Sequence, residues 1–170
     1  MPESGSAYYF DTVTLSNFAL SGRLDLVIAR YGRCANVTSQ VLDEVADEIV
    51  AGYSRLREVE KAVANGEFGD AGSFNSDERD TYRGLLRALS PGEASCITLA
   101  LTRGGVVVTD DRAARNCCFD YNIDVTGTVG ILKACVLDGT LSGQEADEVL
   151  KSMTAAGYRS PVRGISAIVR

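Results

Sequence analysis

Asp11, Glu44, Glu93 and the adjacent pair Asp110 and Asp111 are the residues of this chain whose types could do chemistry together. Carboxylates gathered in one cleft repel and raise one another's pKa, so such a cluster is stable mainly when a divalent cation neutralises it. Mg²⁺ is the natural guest, because it takes oxygen ligands, keeps several waters, and can bind a phosphate while presenting a nucleophilic water. Phosphodiester hydrolysis is the chemistry that follows. The chain has no histidine, which excludes Ser-His and Cys-His catalysis and any imidazole-held zinc. Its five cysteines, Cys34, Cys96, Cys117, Cys118 and Cys135, make no C-x-x-C pair and read as buried free thiols. Each carboxylate also has a plain structural alternative. An Asp after a strand caps the next helix, Glu44 stands among the solvated charges Asp43 and Asp47, and Glu93 suits a helix N-terminus.

The elements that must position these groups follow from the pattern of apolar residues. Residues 7–10 form an aromatic strand that ends at Asp11 and runs into a Thr- and Ser-rich turn. A helix carries Leu24, Leu26, Val27 and Ile28, and a second strand occupies 34–37. Thr38 or Ser39 caps a helix whose apolar residues Val41, Leu42, Val45, Ile49 and Val50 recur at helical spacing opposite Asp43, Glu44, Asp47 and Glu48. The stretch 53–90 reads as a helical insertion packed outside the core, with a mobile Gly-rich loop at 65–75. Pro91, Gly92 and Glu93 open a helix that Gly104 and Gly105 close before the β-branched strand 106–109. Asp110 and Asp111 end that strand, a helix with Ala113 and Ala114 follows, and Ile123 with Val125 predicts another short strand. Strands alternating with helices imply an α/β fold with a central, mostly parallel sheet. In such sheets ligands bind outside the carboxyl ends of the strands, where Asp11 and Asp110-Asp111 stand.

Length, composition and charge bound the rest. The 170 residues fit one domain, with 45% apolar and 24% charged residues. The reading is a flexible N-terminus at 1–6, a domain over 7–160, and a C-terminal segment at 161–170 whose state the pattern does not assign. No apolar run reaches the ~18 residues of a membrane span, and the start of the chain lacks the basic-then-apolar order of a signal peptide. A cytoplasmic protein with no membrane contact is the expectation. The net charge of −6 disfavours indiscriminate nucleic-acid binding, so an RNA substrate requires a local basic patch or the metal. Arg112 and Arg115, one helical turn apart beside the acidic pair, suit a phosphate.

Four segments in order, Phe10-Asp11-Thr12, Val41-Leu42-Asp43-Glu44-Val45, Gly92-Glu93-Ala94 and Val108-Thr109-Asp110-Asp111-Arg112, together resemble the PIN domain. The run from Val125 to Leu132, with Gly127, Thr128 and Gly130, resembles a subgroup of mostly uncharacterised prokaryotic members. The resemblance covers about 10–157 and implies a single-domain, three-layer α/β sandwich. It implies Mg²⁺ or Mn²⁺ held by Asp11, Glu44, Glu93 and Asp111, with Asp110 as the alternative to Asp111, and endoribonuclease activity. Thr12, Thr109, Arg112 and Arg115 stand as substrate contacts. A small antitoxin and a homodimer are the partners it suggests besides RNA. Position 13 is Val where many members carry Ser or Asn. Two other readings stand beside this one. A PIN-like module could bind RNA or protein without cutting. A haloacid-dehalogenase-type phosphatase would use Asp11 as nucleophile but requires a second Asp at position 13.

Overall fold

The computed structural model describes residues 5–169. The N-terminal residues 1–4, to which the expectation of a flexible start mainly applied, and Arg170 lie outside the described residues. Five short strands form one sheet in the order β3-β2-β1-β4-β5, with every pairing parallel. They are β1 (Tyr8–Phe10), β2 (Ala35–Val37), β3 (Gly69–Asp70), β4 (Val106–Val108) and β5 (Val125–Thr126). β1 lies at the centre, with Tyr8 in register with Ala35 on one side and Val106 on the other. Aromatic and β-branched residues suit these central strands, since a parallel sheet covered on both faces buries both sides of each strand. Phe10 and Val108 are fully buried.

Helices cover both faces. On one, α1 (Thr12–Leu20) and α2 (Leu24–Tyr31) follow β1 and pack with α4 (Arg57–Ala64), α8 (Thr128–Leu137) and α9 (Gly143–Ala155). On the other, α6 (Pro91–Arg103) lies across β1 and β4 between α5 (Ser76–Leu85) and α7 (Arg112–Asp120). The helix α3 (Ser39–Val50) touches both α1 and α6. Right-handed crossovers require this division, because the chain moves outward from β1 to β3 and then returns past β1 to reach β4. The strand order therefore reverses between β1 and β4. That is the place where open α/β sheets bind ligands.

Three sequence expectations change. The Thr- and Ser-rich turn after β1 is the helix α1, started by Asp11, whose side chain accepts from the Thr14 N–H. Thr12, Thr14 and Ser16 turn inward, and the helix buries Leu15 and Phe18. The stretch 53–90 is not a helical layer outside the core. Leu56 and Val59 are fully buried, and the Gly-rich loop contains β3, which pairs with β2 and buries Phe68 and Ala71 beside it. Of the five free cysteines, Cys34 and Cys117 are only half-buried. The segment after α9, left unassigned by pattern, runs without helix or strand yet is pinned. Asp147 accepts from the Ile165 and Ser166 N–H groups, and Ile165 is buried. No helix among the described residues is long and apolar enough to cross a membrane.

Candidate functional site

Asp11 follows β1 directly and is almost wholly buried, at 2% exposure. One carboxylate oxygen accepts from the Thr14 N–H (2.8 Å) and the other from the Thr109 hydroxyl (2.5 Å). Thr109 ends β4, and its hydroxyl in turn accepts from the Asp111 N–H (3.1 Å). One hydroxyl thus ties the two sides of the switch point together. Burial pushes the Asp11 carboxyl up to about 7, against the lowering effect of Thr109 and Thr14, and the charge of Asp110 adds to the rise.

Glu44 reaches the same edge from the second turn of α3, which Thr38 caps. One of its oxygens accepts from the Gly92 N–H (2.8 Å) and the other from the Thr12 hydroxyl. Gly92 is needed for that approach, since a Cβ there would fall on the Glu44 carboxylate. Glu93 is the next residue. It forms a capping box with Ser90 at the start of α6, so the cap expected as its structural alternative is real. Its carboxyl is raised by burial and by the charges of Asp111 and Glu44. Asp111 caps α7 through one oxygen, to the Ala114 N–H (2.8 Å), and lines a cleft of about 320 Å³ with Glu93, Asn17, Tyr158 and Arg159. Asp11 is thus tied to Asp111 through Thr109, and Glu93 feels the charges of Asp111 and Glu44, along the carboxyl edge around the β1–β4 switch.

The adjacent Asp110 lines the same cleft and is also held toward α8. Its carboxylate accepts from the Thr128 N–H (3.0 Å), the Thr128 hydroxyl (2.5 Å) and the Asn17 amide (3.2 Å). A Cβ at Gly127 would fall on it, so the Gly127-Thr128 motif shapes a seat for this carboxylate at the start of α8. Asp110 thus anchors the start of α8 while lining the acidic cleft beside Asp111 and Glu93. Thr12 and Thr109 are corrected, because both are buried with their hydroxyls turned to Glu44 and Asp11. They orient carboxylates rather than face a substrate. Arg115 donates to the Thr109 carbonyl (3.0 Å) and braces the end of β4, while Arg112 is exposed on the adjoining surface.

Three participants escaped the sequence reading. Glu48 lies one helical turn beyond Glu44, accepts from the Ser16 hydroxyl (3.0 Å), and is raised by burial and by Glu44. Its i,i+4 spacing from Glu44 was the available signal. Tyr158 and Arg159 come from the segment after α9, where no periodic pattern announced them.

A family model described as a PIN domain (DUF3368) matches residues 7–170. The chain belongs to the PIN-domain family. PIN domains are in general nucleases, typically dependent on Mg²⁺. Among curated proteins none matches the chain. The PIN assignment overturns the phosphatase reading, and position 13, where that chemistry needs an Asp, holds a half-exposed Val13 in the acidic cleft.

The residues of this PIN domain fit a hard dication. The donors at the edge are all oxygens, and Asp11 and Glu93 are both pushed toward the protonated form by burial, with neighbouring carboxylates adding to the rise. Among the described residues no three acidic groups are already drawn into a cage, and hydroxyl and N–H donors engage Asp11, Glu44 and Asp111 individually. Those donors are what a change at Gly92 would disturb. Gly92→Ala is expected to weaken Mn²⁺ binding roughly 10- to 100-fold, the usual cost of losing a group that orients a ligand. Titration calorimetry checks this, and unchanged affinity would remove Glu44 from the ligand set.

Proposed function

We propose that this PIN domain is a metal-dependent endoribonuclease in which Asp11, Glu44, Glu93 and Asp111 hold Mg²⁺ or Mn²⁺. The observation that supports it is the chain of hydrogen bonds joining them at the switch point. Asp11 is linked through Thr109 to Asp111, and Glu44 is linked through Thr12 to the start of α1 and through Gly92 to the start of α6. A bound dication supplies neutralisation of this cluster and Lewis-acid activation of a phosphodiester and a water. The protein's own part is orientation. Thr109 and Thr14 fix both oxygens of Asp11, so its negative charge cannot rotate away from the edge. Asp11, whose carboxyl burial pushes up to about 7 while no cation is beside it, would be held as a carboxylate once a dication neutralises the edge. Arg112 offers a cation to the RNA phosphates at the surface.

The purified chain is expected to cleave RNA with Mg²⁺ or Mn²⁺ and to stop when EDTA is added. Cleavage that continues unchanged in EDTA would sink the metal mechanism. The second reading, a PIN-like module that binds RNA or protein without cutting, is favoured by the absence of a ready-made cage among the described residues. RNA retained but never cut with either metal would establish it instead. As a toxin the chain would act with a small antitoxin partner, and a neighbouring reading frame with a DNA-binding pattern would support that pairing. A homodimer that lines two acidic edges along one groove is the further partner proposal. Light scattering giving the 18.1 kDa monomer mass at all concentrations would remove it.

A further inference from the structure

Three residues of the acidic cleft, Gly157, Tyr158 and Arg159, come from the segment after α9, which has neither helix nor strand of its own. Two devices hold that segment against the edge. At its start Gly157, with a φ of 111°, turns the chain off the end of α9. Its N–H donates to the Thr154 carbonyl (3.1 Å) and that of Tyr158 to the Met153 carbonyl (3.0 Å). Further on, Asp147 of α9 accepts from the Ile165 and Ser166 N–H groups and from the Ser166 hydroxyl, and Ile165 is fully buried. Tyr158 is thereby delivered to a fixed place.

That place is beside the Asp110 carboxylate. Asp110 already accepts from the Thr128 N–H (3.0 Å), the Thr128 hydroxyl (2.5 Å) and the Asn17 amide (3.2 Å), and the Asn17 amide also reaches the Thr128 hydroxyl (3.0 Å). The Tyr158 hydroxyl lies within hydrogen-bonding reach of the same carboxylate and of Thr128. One side chain thus joins the end of β4 to α1, to the start of α8 and to the segment after α9. A phenol is a donor at neutral pH. Each donor removes freedom from a carboxylate that borders Asp111 in the chain, and Asp111 is itself held by the Thr109 hydroxyl and by its cap on α7.

Resting on the reading of this edge as the metal site of a nuclease, we propose that Tyr158 is a positioning residue of that site. Its hydroxyl completes the donor set on Asp110 and so fixes the wall of the cleft beside Asp111 and Glu93. Groups that orient carboxylates around a metal are worth 10- to 100-fold in metal affinity. The segment after α9 is then a working part of the site, and not merely a cover for the helices beneath it.

The test is Tyr158→Phe in the full chain, which keeps the ring in the cleft and removes only the hydroxyl. Titration calorimetry with Mn²⁺ is expected to show affinity weakened at least about tenfold, with an unchanged circular dichroism spectrum. RNA cleavage by the variant is expected to fall at low Mn²⁺ and to recover as Mn²⁺ is raised, because the site is weakened and not destroyed. A second arm tests the contact itself without metal. Tyr158→Phe is expected to lower the urea midpoint of the native chain, and that loss should shrink in an Asp110→Ala background, where the hydroxyl has no carboxylate to meet. Native-like Mn²⁺ affinity for Tyr158→Phe overturns the proposal and leaves the nuclease reading standing. The same loss of urea midpoint in both backgrounds also overturns it, since the hydroxyl then works through some other group. A native chain that takes up no Mn²⁺ overturns both readings.

Discussion

Asp11→Asn is expected to abolish RNA cleavage, by at least about a hundredfold, while making the metal-free protein more stable at neutral and alkaline pH. The activity loss follows from rank. Removing a group that merely orients a ligand costs about 10- to 100-fold, and Asp11 is the most buried of the carboxylates gathered at the switch point. The stability gain has a definite pH window. The folded carboxyl is raised to about 7 from an ordinary 3.8, so the native state holds its proton more tightly than the unfolded chain does. Stability contributed by Asp11 is therefore full below about 4 and falls as pH rises toward 7, where the buried charge must form. Each tenfold change in proton affinity is worth about 1.4 kcal/mol, so the deficit at pH 8 is on the order of 4 kcal/mol before relaxation and water reduce it. The Asn variant keeps the shape without the charge. It should melt higher than the native chain at pH 8 and about equally at pH 4, and Mn²⁺ should raise the melting temperature of the native chain only. Equal melting at both pH values would contradict the account of Asp11 as an uncompensated buried charge.

Glu78→Ala is expected to destabilise the fold by about 2 kcal/mol, the cost of losing charge-assisted hydrogen bonds from Arg103, whose own side chain remains in reach of water. Glu78 is 1% exposed and is gripped by Arg103 at both oxygens (2.6 and 2.8 Å), with Thr102 and the Asn75 N–H as further donors. Arg103 also holds the Ala71 and Ser73 carbonyls, so the pair clamps the loop after β3 and the start of α5 onto α6. The Arg103 bond lowers the Glu78 carboxyl to about 2 from 4.5. The sign is opposite to that of Asp11: this stability is present above about 4.5 and is lost as pH falls toward 2. Urea unfolding at pH 7 and pH 3 checks both statements. A Glu78→Ala protein as stable as the native chain at pH 7 would remove the clamp from the account.

How much of this was legible in the sequence depended on the range of the interactions involved. β1 and β4 were readable because Tyr8, Tyr9 and Phe10 and the run of valines state their own preference. The helix starts at Thr38 and Asp111 announced themselves through short-range caps and that of α6 through Pro91, so Asp11, Glu93 and Asp111 stood at the ends of readable elements and Glu44 in the second turn of one. β3 was not readable. Gly69 and Asp70 have no strand preference and become a strand only because β2 offers an edge to pair with. The helix α1 was hidden because Thr and Ser favour turns unless their hydroxyls find tertiary partners. Here Thr12 and Ser16 find theirs on α3, 32 positions away. Tyr158 and Arg159 depend on a segment fixed by Asp147 and buried Ile165, for which no periodicity exists.

The hydroxyl of Thr109 reaches Asp11 across 98 positions of chain. A contact of that separation forms late, because a long loop must close before any hydrogen bond compensates for it. During synthesis β1 emerges first but has no β4 beside it until most of the polypeptide has left the ribosome. Its aspartate can be neither buried nor aligned in the meantime. The parts of the acidic edge are thus separate pieces in a growing chain, and a stalled or truncated product ending before β4 carries Asp11, Glu44 and Glu93 without Thr109 and Asp111. Whatever reaction the edge performs, the order of the strands withholds it until the domain has closed.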